Sequence, residues 1–279
     1  MQNLKRAVAI QDISCFGKCS LTVALPLLSV VGVETSVIPT ALLSTHTGGL
    51  GKPSYMDLAD AMQKISDHWK GNNLSFDAIY SGYLGSEKQV EIVSDFIDSF
   101  KTEKSVVLVD PAMADNGKLY SGVTKELAEK MAQLCCKADI IVPNFTEAAI
   151  MLGEEYVSAP YELGYAEELA KRLFEKTGAM VVLTGLDIGD GNVGALIYNG
   201  HAHSVFAPKT EGHYHGTGDI FAAVLLGAYL NGKSLEDSAK IAVEFTANSI
   251  YRTKQQGTDP RFGVNFEGEI PKLIKILDL

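Results

Sequence analysis

A chain of 279 residues, 46% of them hydrophobic, can bury a sizeable core in one large domain. Lysine and arginine number 24 against 34 aspartates and glutamates, a formal charge of −10. That balance argues against nucleic acid or a membrane surface as the main partner, while a local pocket can still receive a small anion. The opening "MQNLKRAVAI" has no long apolar run and no small-residue cleavage site, so no signal peptide is expected. No stretch approaches the roughly 20 apolar residues that span a bilayer. Cys15, Cys19, Cys135 and Cys136 then read as reduced thiols of a cytoplasmic protein.

In chain order, "AVAIQ" predicts a first strand and "SVIPTALLS" a second. The Thr-, Ser- and Gly-rich stretch of residues 36–52 is expected to carry a small lid on an otherwise single domain spanning 1–279. "DAIYSGYL" predicts a further strand, followed by a helix in "SEKQVEIVSDFIDSFK", whose Val90, Ile92, Val93, Phe96 and Ile97 fall on one side. "SVVLVDP", "ADIIVPN" and "MVVLTG" are short, β-branched and bounded by polar or glycine residues, which predicts strands. Between the last two lies the helix "YELGYAEELAKRLFEKTG", closed by Gly178. "GALIYNG" and "AHSVFAP" predict a hairpin turning at Asn199-Gly200. Two helices follow, in "GTGDIFAAVLLGAYL" and "SLEDSAKIAVEFTANSIYRTKQQ". Alternating strands and helices give an α/β fold. Its central sheet is mostly parallel, with helices on both faces and an antiparallel hairpin in the C-terminal half.

"HGTGD" poses the functional question, because glycines, a threonine and an aspartate open a nearly all-apolar helix. Glycine lets successive N–H groups point one way and blocks nothing. The first helical amides lack internal partners, and the helix end carries partial positive charge. Gly216, Thr217 and Gly218 can therefore seat an oxyanion such as a transferring phosphoryl group. Asp219 beside them, held as an anion by the helix end, can accept a hydroxyl proton. Thr217 or Asp219 could equally be a helix cap. Ile220, Phe221, Val224, Leu225 and Leu226 make the helix central, and a buried helix with a charge at its mouth needs a reason for that charge.

At this point the chain resembles the ribokinase superfamily, and within it the pyridoxal kinases, which phosphorylate vitamin B6. The resemblance rests on separated motifs in one order: "AIQDISCFGKCS", "STHTGG", "YSGYLG", "VDPAMADNGKLY", "PNFTEA", "LTG" and "HGTGD". It implies that Asp12, where many members have serine, touches the pyridine ring, with Thr47, His46 and Tyr83 around the vitamer. It implies that Asp110, Asp115, Asn144 and Thr184 lie near the nucleotide phosphates. Ala114 replaces the glycine usual in the fourth motif. Glu147, with Asp110, would organise Mg²⁺. Gly216, Thr217 and Gly218 would form the anion hole, with Asp219 as the base. ATP, Mg²⁺, a monovalent cation such as K⁺, and a homodimer belong to the same expectation.

The metal reading has its own logic. Magnesium takes hard oxygen ligands and keeps several waters, so one or two carboxylates suffice. Asp110 and Glu147 each follow a predicted strand and should emerge on one rim. Taken singly, Asp110 could be a strand-ending turn and Asn144 a helix cap with Glu147 in the first turn. "GDGNVG" precedes a predicted strand and reads as a hairpin loop, not a dinucleotide fingerprint. His213 and His215 lack the further ligands of a zinc site. His215 borders the anion loop, and Lys209 could reach a phosphate or be solvated. A hydroxymethylpyrimidine kinase, a sugar kinase and a non-catalytic vitamer-binding protein are the competing readings.

Overall fold

The computed structural model describes residues 4–279. Nine strands form one sheet in the order β11-β10-β9-β8-β5-β4-β1-β2-β3. The parallel centre consists of β1 (Lys5–Ser14), β2 (Val33–Leu43), β4 (Ala78–Ser81), β5 (Val106–Val109), β8 (Ile140–Ile141) and β9 (Met180–Leu186). The hairpin of β10 (Asn192–Tyr198) and β11 (Ala202–Pro208) closes one edge antiparallel, turning at Asn199 and Gly200 as the sequence predicts. β3 (Tyr55–Asp57) pairs antiparallel with β2 at the other edge. A separate small hairpin joins β6 (Ala114–Asp115) to β7 (Lys118–Leu119).

Side chains alternate across the strands and feed two cores. On β1, Val8 and Ile10 enter one core while Ala7 and Ala9 enter the other. The first core is covered by α2 (Ala59–Gly71), α3 (Glu87–Phe100), α4 (Lys125–Cys135), α5 (Phe145–Leu152) and α6 (Leu163–Thr177). The second is covered by α1 (Leu21–Val30), α7 (Thr217–Leu230), α8 (Leu235–Gln255) and, at its margin, α9 (Ile270–Ile276). The sequence pattern does not announce α1. It is apolar nearly all round and contains Pro26, so it lacks the one-sided spacing that marks α3.

Residues 36–52 divide between two structures. Residues 36–43 lie within β2, and a loop follows from 44 to 54. The order of strand addition reverses between the parallel strands β1 and β4, because β1 leads to β2 on one side while β4 returns on the other. Such a reversal opens a crevice beyond the carboxyl ends of the strands. α7 is buried from Ile220 to Ala228 and packs between α1 and α8, with only its N-terminus reaching the crevice.

Candidate active site

A cavity of about 530 Å³ lies at the carboxyl ends of the strands. Every residue given a site role from the motifs lines it. Asp12, His46, Thr47 and Tyr83 stand toward β1 and β2, while Asp110, Asp115, Asn144, Glu147 and Thr184 stand toward β5, β8 and β9. Gly216, Thr217, Gly218 and Asp219 come from the mouth of α7.

The anion loop is built on close backbone approach. Gly216 has φ of 77°, and a Cβ there would fall 2.1 Å from the Lys18 carbonyl oxygen, so only glycine fits. A Cβ on Gly218 would meet nothing nearer than Asp110 Oδ2 at 3.8 Å. The space in front of Gly218 is therefore open toward Asp110. No side chain caps α7, so its first amides are left without side-chain partners where Gly216, Thr217 and Gly218 line the cavity, as an oxyanion seat requires. This removes the reading of Thr217 or Asp219 as an ordinary cap.

Asp219 is not held ionised as the helix end alone implies. Its carboxyl is pushed up to about 7, chiefly by burial, with Asp110 and Asp12 adding like charge; the Ser20 amide opposes the shift only in part. Desolvation exceeds the partial charge of one helix end here. Asp110, 8% exposed, is likewise held above the usual carboxylate range by burial and by Glu147, and Asp12, 5% exposed, by burial. Ser14 Oγ donates to Asp12 Oδ2 at 3.1 Å.

Glu147 is 2% exposed and fully engaged. Its Oε2 accepts from the Asn144 amide at 2.9 Å, completing a capping box in which Asn144 Oδ1 accepts from Thr146 and Glu147. Its Oε1 accepts from Met113 at 2.9 Å and Ala114 at 3.4 Å. Asn144 Nδ2 donates to Ala114 O at 2.8 Å, and the Gly117 amide to Thr146 Oγ1 at 3.0 Å. "PNFTEA" thus clamps the loop that carries Asp110 and Asp115. The helix-cap reading of Asn144 is what the structure shows, and the same construction places Asn144 and Glu147 on the cavity wall. The Ala114 methyl, where the motif usually has glycine, packs into the core.

The oxygens suit Mg²⁺. Asp110 faces the open space before Gly218, and buried carboxylates held above their usual range gain from a hard cation. Glu147, with both oxygens on amides, orients the Asp110 loop and fits the metal's outer surroundings.

Some residues escaped sequence reasoning. Among the described residues lining the cavity, Lys118 is the only lysine or arginine. It follows Asn116 and Gly117, both at positive φ, in a two-residue hairpin turn. Asn116-Gly117 signals the tight turn, but not that Lys118 reaches the cavity. Cys19 and Ser20 line the floor beside Asp219. Lys209 is elsewhere, with Nζ 2.8 Å from Asp187 Oδ2. The first half of "GDGNVG", residues 189–191, lies in the β9–β10 connection, and Asn192, Val193 and Gly194 open β10.

Residues 28–262 match the phosphomethylpyrimidine kinase family model. The chain belongs to this family. Its relatives include the pyridoxine/pyridoxal/pyridoxamine kinase of Bordetella avium, 28% identical over 88% of this chain and 85% of that one. The crystal structure of pyridoxal kinase from Lactobacillus plantarum superposes with a TM-score of 0.91, 31% identity and 98% coverage of both chains. A Bacteroides thetaiotaomicron protein designated a phosphomethylpyrimidine kinase, crystallised with pyridoxal, matches at TM-score 0.91 and 36% identity. That match covers 99% of this chain and 96% of that one. The ribokinase-like resemblance drawn from the motifs holds in both fold and family. Among the described residues, no helix is long and apolar enough to cross a membrane.

Proposed function

We propose that this protein is an ATP-dependent kinase that phosphorylates the primary alcohol of pyridoxal, pyridoxine or pyridoxamine. The observation that carries the proposal is the uncapped mouth of α7, where a glycine loop and the half-buried Asp219 face Asp110 across one cavity. The vitamer's hydroxyl oxygen attacks the γ-phosphorus of ATP, and the bond to the β-phosphate oxygen breaks to release ADP. Asp219 takes the hydroxyl proton. A carboxyl near 7 is matched to that task, since it is substantially ionised at neutral pH yet holds the proton well once it arrives. The amides around Gly216–Gly218 stabilise charge on the phosphoryl oxygens. Mg²⁺ at Asp110 would neutralise the polyphosphate and draw charge from the γ-phosphate. Glu147 and Asn144 keep Asp110 and Asp115 in place.

The family description names a phosphomethylpyrimidine. The B6 reading is supported by "CFGKCS" after β1, where hydroxymethylpyrimidine kinases usually carry a Gly-Ala-Gly-Ile-Gln-Ala-Asp type segment, and by relatives named for B6 vitamers. Four free cysteines fit a cytoplasmic setting. The test is ADP release with pyridoxal, pyridoxine, pyridoxamine and hydroxymethylpyrimidine in parallel. Turnover with the B6 forms is expected. ADP only with the pyrimidine would move the assignment to the runner-up. Tight vitamer binding without ADP would make the protein a non-catalytic vitamer binder.

A further inference from the structure

Three loops meet on two imidazoles at the cavity mouth. His46, 5% exposed, belongs to the 44–54 loop. Its Nδ1 accepts from the Gly48 amide at 3.0 Å, which leaves the proton on Nε2 to be donated to the Arg261 carbonyl oxygen at 2.6 Å. The His46 amide in turn donates to Phe16 O at 3.3 Å. His215 directly precedes Gly216, and its ring centroid lies 4.9 Å from that of His46.

Two glycines give these rings their room. A Cβ on Gly17 would lie 2.2 Å from His46 Cδ2, and a Cβ on Gly48 would lie 2.2 Å from His215 Cε1 and 2.4 Å from its Nδ1. His215 therefore rests directly on the backbone of the loop that carries Thr47. Burial, with His46 and His213 nearby, pushes His215 down to about 4, so the ring is uncharged at neutral pH and packs as a flat neutral plate.

We infer that Gly48 and His215 form a packing latch that holds the vitamer-side loop, residues 44–54, against the phosphoryl loop beginning at Gly216, with His215 as a positioning residue. The loops carry opposite ends of the reaction, Thr47 toward the acceptor and Gly216–Gly218 toward the phosphoryl group. Holding them as one surface fixes the distance from hydroxyl to phosphorus, where small displacements cost large factors in rate. The catalytic part of this inference rests on the kinase reading; the latch itself does not.

The experiment uses the full chain and the variants His215→Ala, His215→Phe, Gly48→Ala and the Gly48→Ala/His215→Ala double. Hydrogen exchange of the 44–54 backbone reads the latch without any substrate. We expect exchange there to quicken about tenfold in His215→Ala and Gly48→Ala. His215→Phe, which keeps a flat ring, should stay near wild type. The double variant should be no worse than either single, the non-additivity of two halves of one contact. In turnover, the KM for pyridoxal should rise about tenfold in both single variants, while the KM for ATP stays within about twofold. Unchanged exchange in His215→Ala overturns the latch. An equal rise in the KM for ATP overturns the positioning role and makes His215 a phosphate contact. Faster exchange in the variants, with no vitamer turned over by wild type, leaves the latch standing and overturns the kinase reading.

Discussion

Asp219 and Glu147 occupy the same helical position. Each is the third residue of its helix, behind Gly216 in α7 and Asn144 in α5, and each lines the same cavity. Their fates differ because of what precedes them. Asn144 is extended, so Glu147 folds back to its amide and spans to Met113 and Ala114. Gly216 is left-handed and makes no box, so Asp219 stays available to the cavity. One carboxylate is absorbed into structure and the other is left open to the cavity. The N-cap residue, not the acid, decides which.

The sharpest way to break this contrast is Asp219→Asn. It should fold as wild type and lose about 10²–10⁴ in kcat, the usual contribution of a general base. Turnover beside a thermal melt checks both halves, and near-normal kcat would remove the assigned role. Second is pH. In the proposed mechanism Asp219 acts ionised, and its carboxyl sits at about 7, so kcat/KM should fall about tenfold per unit below that value. The limb should vanish in Asp219→Asn, and a pH-independent profile between 5 and 8 would contradict the placement.

Third, Glu147→Gln sets an NH₂ donor against amides that are themselves donors. It should cost about 1–3 kcal/mol of stability, seen in denaturant melts, with catalytic loss following from the loosened Asp110 loop. A variant with wild-type stability would show Glu147 to be less structural than its bonds imply. The smallest effect concerns the metal-free protein. Asp110, Glu147 and Asp219 are all raised on folding, so between about pH 4 and 8 the native state binds more protons than the unfolded one. Stability is then greatest toward the acid end of this window and declines as pH rises. The melting temperature without Mg²⁺ should decline from pH 5 to pH 8, and added Mg²⁺ should recover part of the loss at pH 8. A rise with pH would reverse the sign of these shifts.

Short β-branched runs and amphipathic spacing made β1, β5, β9, α3 and α6 readable, since their patterns follow from local geometry and one-sided burial. α1 carries apolar residues, among them Leu25, on its exposed side as well as its buried one and so shows no period, and β3, β6 and β7 are only two or three residues long. The motif residues were legible as candidates because phosphate seats and caps are short-range backbone constructions. Lys118 and the Gly48–His215 contact were not, since each needs segments far apart in sequence to meet.

The sequence by itself determined that a glycine-led, apolar helix would carry an acid in its first turn, because helix ends and glycine torsions are local properties. Only the tertiary structure decided how that acid is charged. Desolvation and the nearness of Asp110 and Asp12 outweigh the helix end, and those terms depend on distances that no stretch of chain contains.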